Sequence, residues 1–176
     1  MGNSFTEILR EWHSFYSLTG GAAITLMGLV FVAASLGASL VKSPSTASGI
    51  RTFVTPTIIH FSAVLTLAAL ILIPTQSFNS LGSLLCLSSG AGLLYVGVVT
   101  VQLRKHHQRH SHVAMVDWFW RACLPTFGYL LILTAAIGLL IHAPFALNGL
   151  SLAVIVFLLL GIRNAWDLFL WIAHHQ

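Results

Sequence analysis

Charged residues placed inside apolar segments are the most unusual chemistry in this sequence. Asp117 and Arg121 stand four residues apart in one such segment, and Arg163 and Asp167 stand four apart in another. Residues four apart lie on one helix face, so each pair can neutralise its own charges. A lone charge at the centre of a membrane helix costs at least about 2.5 kcal/mol, and such charges are therefore expected to be paired.

The two charged segments flank Pro144, and an antiparallel hairpin there brings them to one depth. Arg121 lies 23 residues before Pro144, and Asp167 lies 23 residues after it. We predict a charge cluster at the cytoplasmic end of this hairpin, with Asn164 as a hydrogen-bonding neighbour. The predicted cluster contains Asp117, Arg121, Arg163 and Asp167. It either staples two helices through contacts that average about 0.6 kcal/mol, or marks an ion or proton pathway.

His60 is the second polar residue set deep in an apolar run, "TFVTPTIIHFSAVLT". Counted from Arg51, it lies about 13 Å along a helix. Thr52, Thr55, Ser62 and Thr66 suggest a polar stripe close to the same face. His60 is either a core histidine satisfied by a neighbouring helix, or a proton relay that titrates near neutral pH.

The loop "RKHHQRHSH" contains the weak metal candidates His106 and His110, which would share a helix face if the preceding helix continues. No cysteine or carboxylate lies near them, so we predict no metal site and favour a solvated basic loop attracted to anionic lipid. Haem ligation by two histidines needs a partner at the depth of His60, and none is evident. We expect no cofactor.

Composition and hydropathy define the elements that position these residues. The chain is 57% hydrophobic and 7% charged, far from the roughly 25% charged residues of soluble domains. Apolar runs of about 20 residues are long enough to cross a bilayer as helices. We predict an all-α integral membrane bundle, a single transmembrane domain over residues 1–176, with five transmembrane helices. The predicted spans cover residues 18–41, 52–73, 80–103, 118–142 and 146–172.

A short amphipathic helix is predicted over residues 4–17, before the first span. Its apolar side chains have the spacing of one helical face: Phe5, Ile8, Leu9, Trp12, Phe15 and Tyr16. We expect this helix to lie on the outer membrane surface until the chain turns inward at "TGG". It either anchors the first span or acts as a lid over a pore or partner site.

Basic residues predict the orientation of the chain, because short loops rich in lysine and arginine stay in the cytoplasm. The loops after the first and third spans carry Lys42, Arg51, Arg104, Lys105 and Arg109. The loops after the second and fourth spans carry none. This pattern places the N-terminus outside and the C-terminus in the cytoplasm.

Small residues predict close helix packing on the first and third spans. They are Gly21, Thr25 and Gly28 in the first span and Gly82, Cys86 and Gly90 in the third. Such faces let helix backbones approach within one protomer or between copies. The other cysteine, Cys123, belongs to the opposite half of the membrane, so we predict no disulfide.

Enzyme signatures are missing from the sequence, which has no nucleophile elbow, no H-E-x-x-H motif and no phosphate-binding glycine loop. We therefore expect no enzymatic activity. The basic loops have an explanation in membrane orientation, so nucleic-acid binding is not predicted either. The remaining hypotheses are a homo-oligomeric channel that conducts ions or protons, and an accessory subunit of a larger membrane complex.

Two motifs, "W-H-x-F-Y" over residues 12–16 and "G-I-R-N-A-W-D" over 161–167, carry a resemblance. The sequence resembles a family of small multi-pass bacterial inner-membrane proteins over most of its length. The resemblance implies a location in the bacterial inner membrane and implies no mechanism.

Overall fold

The computed structural model describes residues 5–40, 44–74, 76–107, 119–143 and 145–174. This part of the chain contains five α-helices and a π-turn, and no β-strand. The helices are α1 (Phe5–Leu40), α2 (Pro44–Leu72), α3 (Phe78–His107), α4 (Leu124–Leu140) and α5 (Ala146–His174), and the π-turn is Phe119–Cys123.

All five helices are long and apolar enough to cross a membrane. The membrane-length segments are Glu7–Gly37, Val54–Leu72, Phe78–Val101, Phe119–Leu140 and Ala146–Leu170. Large apolar side chains point outward along them, with Leu18, Leu87 and Leu94 more than 70% exposed. Outward apolar side chains on this scale are typical of a surface that faces lipid rather than water. The predicted all-α fold with five spans is confirmed.

The N-terminal segment differs from its prediction, because α1 is one continuous helix of 36 residues. The predicted inward turn at Thr19–Gly21 is wrong, and residues 5–17 are not a separate interfacial helix. The Thr19 hydroxyl donates to the Phe15 carbonyl at 2.9 Å, a bond made within a helix. Breaking the helix in an apolar setting would leave backbone groups without partners, which outweighs the weak helix preference of the two glycines.

Two compact units make up the fold. The first contains Met1–Leu9 and Ile73–Val156, and the second contains Arg10–Leu72 and Phe157–Gln176. The first unit is centred on the packing of α3 against α4. Gly82 lies against Leu140, since a methyl group added at Gly82 would come within 2.9 Å of that side chain. Gly92 lies against the ring of Tyr129, so the two helices run antiparallel.

Helices α4 and α5 form the predicted antiparallel hairpin within the first unit. Gly138 of α4 lies against Ala146 of α5, and Gly149 of α5 lies against Ala135 of α4. The chain reverses through His142, whose φ of 60° is left-handed. The Ala143 N–H donates to the Gly138 carbonyl at 2.8 Å, which completes a Schellman cap.

Aromatic rings join three segments at this end of the first unit. The ring of His142 lies 4.7 Å from that of Phe78, at the start of α3. The ring centroid of Phe78 in turn lies 3.9 Å from that of Phe5, at the start of α1. The start of α3 is also capped, because Ser77 and Ser80 exchange backbone-to-hydroxyl hydrogen bonds of 3.0 and 3.2 Å.

The π-turn Phe119–Cys123 ends two residues before Pro125, which stands in the first turn of α4. Proline has no N–H to donate to the carbonyl four residues earlier, here Arg121, and its ring crowds that carbonyl. A wider turn before the proline relieves this crowding. The sequence therefore places Arg121 within an irregular helix turn, a local structure that often occurs at functional positions.

The second unit packs α1 and α2 against the C-terminal half of α5. Gly20 on α1 lies against Ala68 on α2, where an added methyl group would come within 2.8 Å of the alanine Cβ. Near the other end of α1, Gly37 lies against Ile172 of α5. Because α1 and α5 run in one direction and α2 in the other, the middle of α2 comes to lie against the second half of α5.

Candidate functional site

The inward face of α2 positions the candidate site in the second unit. Its buried side chains recur every three or four residues: Thr57, His60, Phe61, Val64, Leu67, Ala68 and Ile71. Thr57 and His60, the polar members, occupy adjacent turns and are 0% and 4% exposed. Removing a polar group from water is costly unless it has a hydrogen-bond partner, so these two side chains need partners within the protein.

Asn164 of α5 supplies a partner for His60. The Asn164 Nδ2 lies 3.3 Å from the His60 Nδ1. The amide NH₂ group can only donate, so this contact is a hydrogen bond when His60 carries its proton on Nε2 and its Nδ1 lone pair is free to accept. The contact joins residues 104 positions apart and links α2 to α5. The site is therefore built by the packing of two helices rather than by a local motif.

One aromatic ring, that of Phe157, lies against the imidazole of His60. The Phe157 ring stacks on it with 5.8 Å between centroids and 28° between ring planes. Phe157 itself is completely buried. Gly161 lies directly against the ring of Phe61, where any side chain at position 161 would collide with it. The glycine brings α5 close enough to α2 for Asn164 to reach His60.

Arg163 and Asp167 form the ion pair that their spacing predicts. The Arg163 Nε lies 3.9 Å from an Asp167 carboxylate oxygen, and the two side chains are 38% and 40% exposed. The distance between the two charged groups is long for an ion pair, and ion pairs at part-exposed positions contribute little stability. Asn164 stands next to Arg163 in the chain, and Asp167 follows it by one helix turn. His60, Asn164 and Asp167 therefore form a succession from the core toward the end of α5.

The remaining members of the predicted charge cluster are Arg121 and Asp117. Arg121 is half-buried in the π-turn of the first unit, and the predicted facing pair of Arg121 and Asp167 stays a prediction. Asp117 lies outside the described residues, as does His110. His106 belongs to the last turn of α3, but its side chain is also outside the described part. Within that part, no group of three His, Cys, Asp or Glu side chains could hold a metal ion.

Two features of the site were missed in the sequence. Thr55 and Thr66 of the expected polar stripe are exposed, and Thr57 is the threonine that shares the inward face with His60. The spacing of three residues between Thr57 and His60 is the signal that identifies it. The sequence predicts Asn164 only as a hydrogen-bonding neighbour of the charge cluster. Counting inward from the predicted cytoplasmic ends of the second and fifth spans would have placed it at the depth of His60.

Comparisons with protein-family models, with curated proteins and with solved structures found no match to this chain.

Proposed function

We propose that this protein is a homo-oligomeric, channel-like membrane protein that conducts ions or protons. The supporting observation is the polar succession of the second unit, in which buried His60 bonds to half-buried Asn164 and Asp167 follows one turn later. Polar and ionisable side chains inside membrane helices are costly and commonly mark the paths of ions or protons. The proposal includes a bacterial inner-membrane location, an outside N-terminus and a cytoplasmic C-terminus.

Flux through purified protein in liposomes tests the proposal. Wild-type protein should dissipate an imposed pH or ion gradient, and His60→Ala should reduce that flux at least several-fold. His13→Ala is the matched control, because His13 is an exposed histidine of the second unit and lies outside the succession. Wild-type liposomes as tight as protein-free liposomes would show that the proposal is wrong.

A second candidate function, that of an accessory subunit in a larger membrane complex, is favoured by the outer face of α1. Gly21, Thr25 and Gly28 are exposed on this helix, and a methyl group added at either glycine would meet nothing within 4 Å. Small residues of this kind let a second helix approach closely in a bilayer. The same face serves self-association in the channel proposal and association with another protein in this one.

Oligomeric state separates the two candidates. A homo-oligomer in mild detergent that Gly28→Leu converts to monomer supports the channel proposal. Gly97→Leu on α3 is the matched control, since Gly97 also meets open space but lies on a different helix. A wild-type monomer that conducts nothing and co-purifies with another membrane protein would favour the accessory role.

A further inference from the structure

We infer that the ring stack of His142, Phe78 and Phe5 is a pH-sensitive latch, which holds the start of α1 more firmly when His142 is protonated. The three rings belong to the first unit and join the α4–α5 turn, the start of α3 and the start of α1. This inference goes beyond the proposed function, since it concerns a conformational change rather than the passage of ions. In the proposed orientation the latch faces the outside solution.

The distances between the rings allow His142 to act on Phe5 through Phe78. The His142 ring centroid lies 4.7 Å from that of Phe78, and the Phe78 centroid lies 3.9 Å from that of Phe5. Phe78 therefore contacts both of the other rings. An attraction that holds the Phe78 ring in this position also holds the surface on which Phe5 packs.

The backbone of His142 is strained, and the strain accompanies the ring contact. His142 follows the last turn of α4 with a φ of 60°, at a position where helices usually have glycine because a side chain is strained there. Histidine tolerates this conformation better than most residues, and here it brings a ring against Phe78 that glycine would not supply. Strained residues often occur at functional positions.

His142 can exchange protons with the surrounding solution without a relay. Its side chain is exposed at the turn between α4 and α5. Histidine is the side chain that ordinarily changes its charge between about pH 5 and pH 8. Water stays around an exposed imidazolium, so the charge does not have to be buried when the latch forms.

The charged form of His142 attracts the Phe78 ring more strongly than the neutral form does. A cation within about 6 Å of the centre of an aromatic ring is attracted by the negative charge density of the ring face. The separation of 4.7 Å between the His142 and Phe78 rings lies inside that range. At exposed sites the attraction shifts an equilibrium about two- to fivefold. The latch is therefore strongest below the pH range in which histidine titrates, and it weakens as the pH rises through that range.

Glu7 is the charged residue in the first turn of α1, beside Phe5. Its carboxylate is an alternative source of a pH effect at the latch. The next charged and titratable side chains along α1 are Arg10, Glu11 and His13. The parts of the other helices nearest the latch carry no titratable side chain: residues 78–85 of α3, 130–140 of α4 and 146–161 of α5.

Amide hydrogen exchange of full-length protein in lipid nanodiscs tests the inference. In a regular helix the Leu9 N–H bonds to the Phe5 carbonyl, so the protection factor of Leu9 measures how firmly the start of α1 is held. In wild type we expect this factor to be about two- to fivefold higher at about pH 5 than at about pH 8. His142→Asn tolerates a left-handed backbone and carries no charge, so its two factors should be equal.

Phe78→Leu and two control variants identify the source of the pH effect. Phe78→Leu keeps an apolar side chain, so loss of the pH effect in this variant points to the ring rather than to a charge at the end of α4. His13→Gln removes another exposed histidine and Glu7→Gln removes the nearby carboxylate, and both should keep the wild-type ratio. The amide of Ile132, a buried residue of α4, should be equally protected in every variant, which shows that the bundle is folded.

The outcomes separate the inference from the proposed function. A wild-type protection factor that does not change with pH would overturn the latch. So would a wild-type ratio that persists in His142→Asn or Phe78→Leu, or a ratio that is lost in either control variant. None of these results depends on ion flux, so the latch and the proposed channel can fail independently.

Discussion

At the scale of single residues, the structure ties one histidine to one asparagine across two helices. His60 is buried, accepts a hydrogen bond from Asn164 and stacks on Phe157. The side chains that contact His60 are apolar or uncharged. They suit a neutral imidazole, because a charged group buried in a low-dielectric setting is costly unless it is paired. The charges of Arg163 and Asp167 stay at a part-exposed position, where they neutralise each other.

His142 provides a residue-scale prediction about backbone strain. Its φ of 60° is left-handed, a conformation that costs a non-glycine residue roughly 1–2 kcal/mol. Both His142→Gly and His142→Ala remove the ring contact with Phe78, so their difference isolates the backbone. We expect the free energy of unfolding in detergent to be about 1 kcal/mol higher for His142→Gly than for His142→Ala. Equal stabilities would contradict the left-handed assignment.

The residue scale is also where the sequence was least informative. The depth of His60 could be counted from Arg51, but its partner depends on how α2 and α5 are rotated about their axes, which hydropathy does not determine. Asn164 lies between Arg163 and Asp167 in the chain, and its position in the sequence therefore predicts only that it neighbours these charges. In the structure a rotation of about 100° per residue turns Asn164 inward and leaves Arg163 part-exposed.

At the scale of helices, apolar length was enough to predict all five spans, because a bilayer-spanning segment needs about 20 apolar residues. The same information did not predict how α1 passes through Thr19–Gly21. Glycines weaken helices in water, where unpaired backbone groups can bind solvent. In an apolar setting the helix persists, and Gly20 instead permits close contact with Ala68.

Gly20 and Gly21 form a matched pair for testing helix packing. A methyl group added at Gly20 would come within 2.8 Å of the Ala68 Cβ, whereas one at Gly21 would meet open space. We expect Gly20→Ala to lower the free energy of unfolding by about 1–3 kcal/mol, the usual cost of overpacking. Gly21→Ala should leave stability unchanged or slightly raised, because alanine favours helix. Equal losses for both variants in a detergent unfolding titration would show that α1 does not pack on α2 through Gly20.

At the scale of the whole molecule, five helices long and apolar enough to cross a membrane predict that the two ends of the chain lie on opposite sides of it. The distribution of lysine and arginine predicts which side each end takes. The same basic loops are expected to lie against the anionic lipids of the cytoplasmic leaflet. The proposed route from His60 through Asn164 to Asp167 would then open toward the cytoplasm.

Reporter fusions in a bacterial host test this orientation. A fluorescent protein that matures only in the cytoplasm, fused after Gln176, should fluoresce. Alkaline phosphatase, which folds only outside the cytoplasm, should be active when fused after Gln76, in the segment between α2 and α3. The reverse pattern would mean that the polar succession opens to the outside.

The pairing of His60 with Asn164 is the central claim, and a double-mutant cycle measures it most directly. His60→Leu, Asn164→Leu and the double variant are compared with wild type by free energy of unfolding in detergent. Hydrogen-bonded pairs between membrane helices couple by about 0.6 kcal/mol on average and by as much as about 1.7 kcal/mol. We predict a favourable coupling in that range. Single losses that simply add up in the double variant would contradict the pairing, and with it the proposed route for ions or protons.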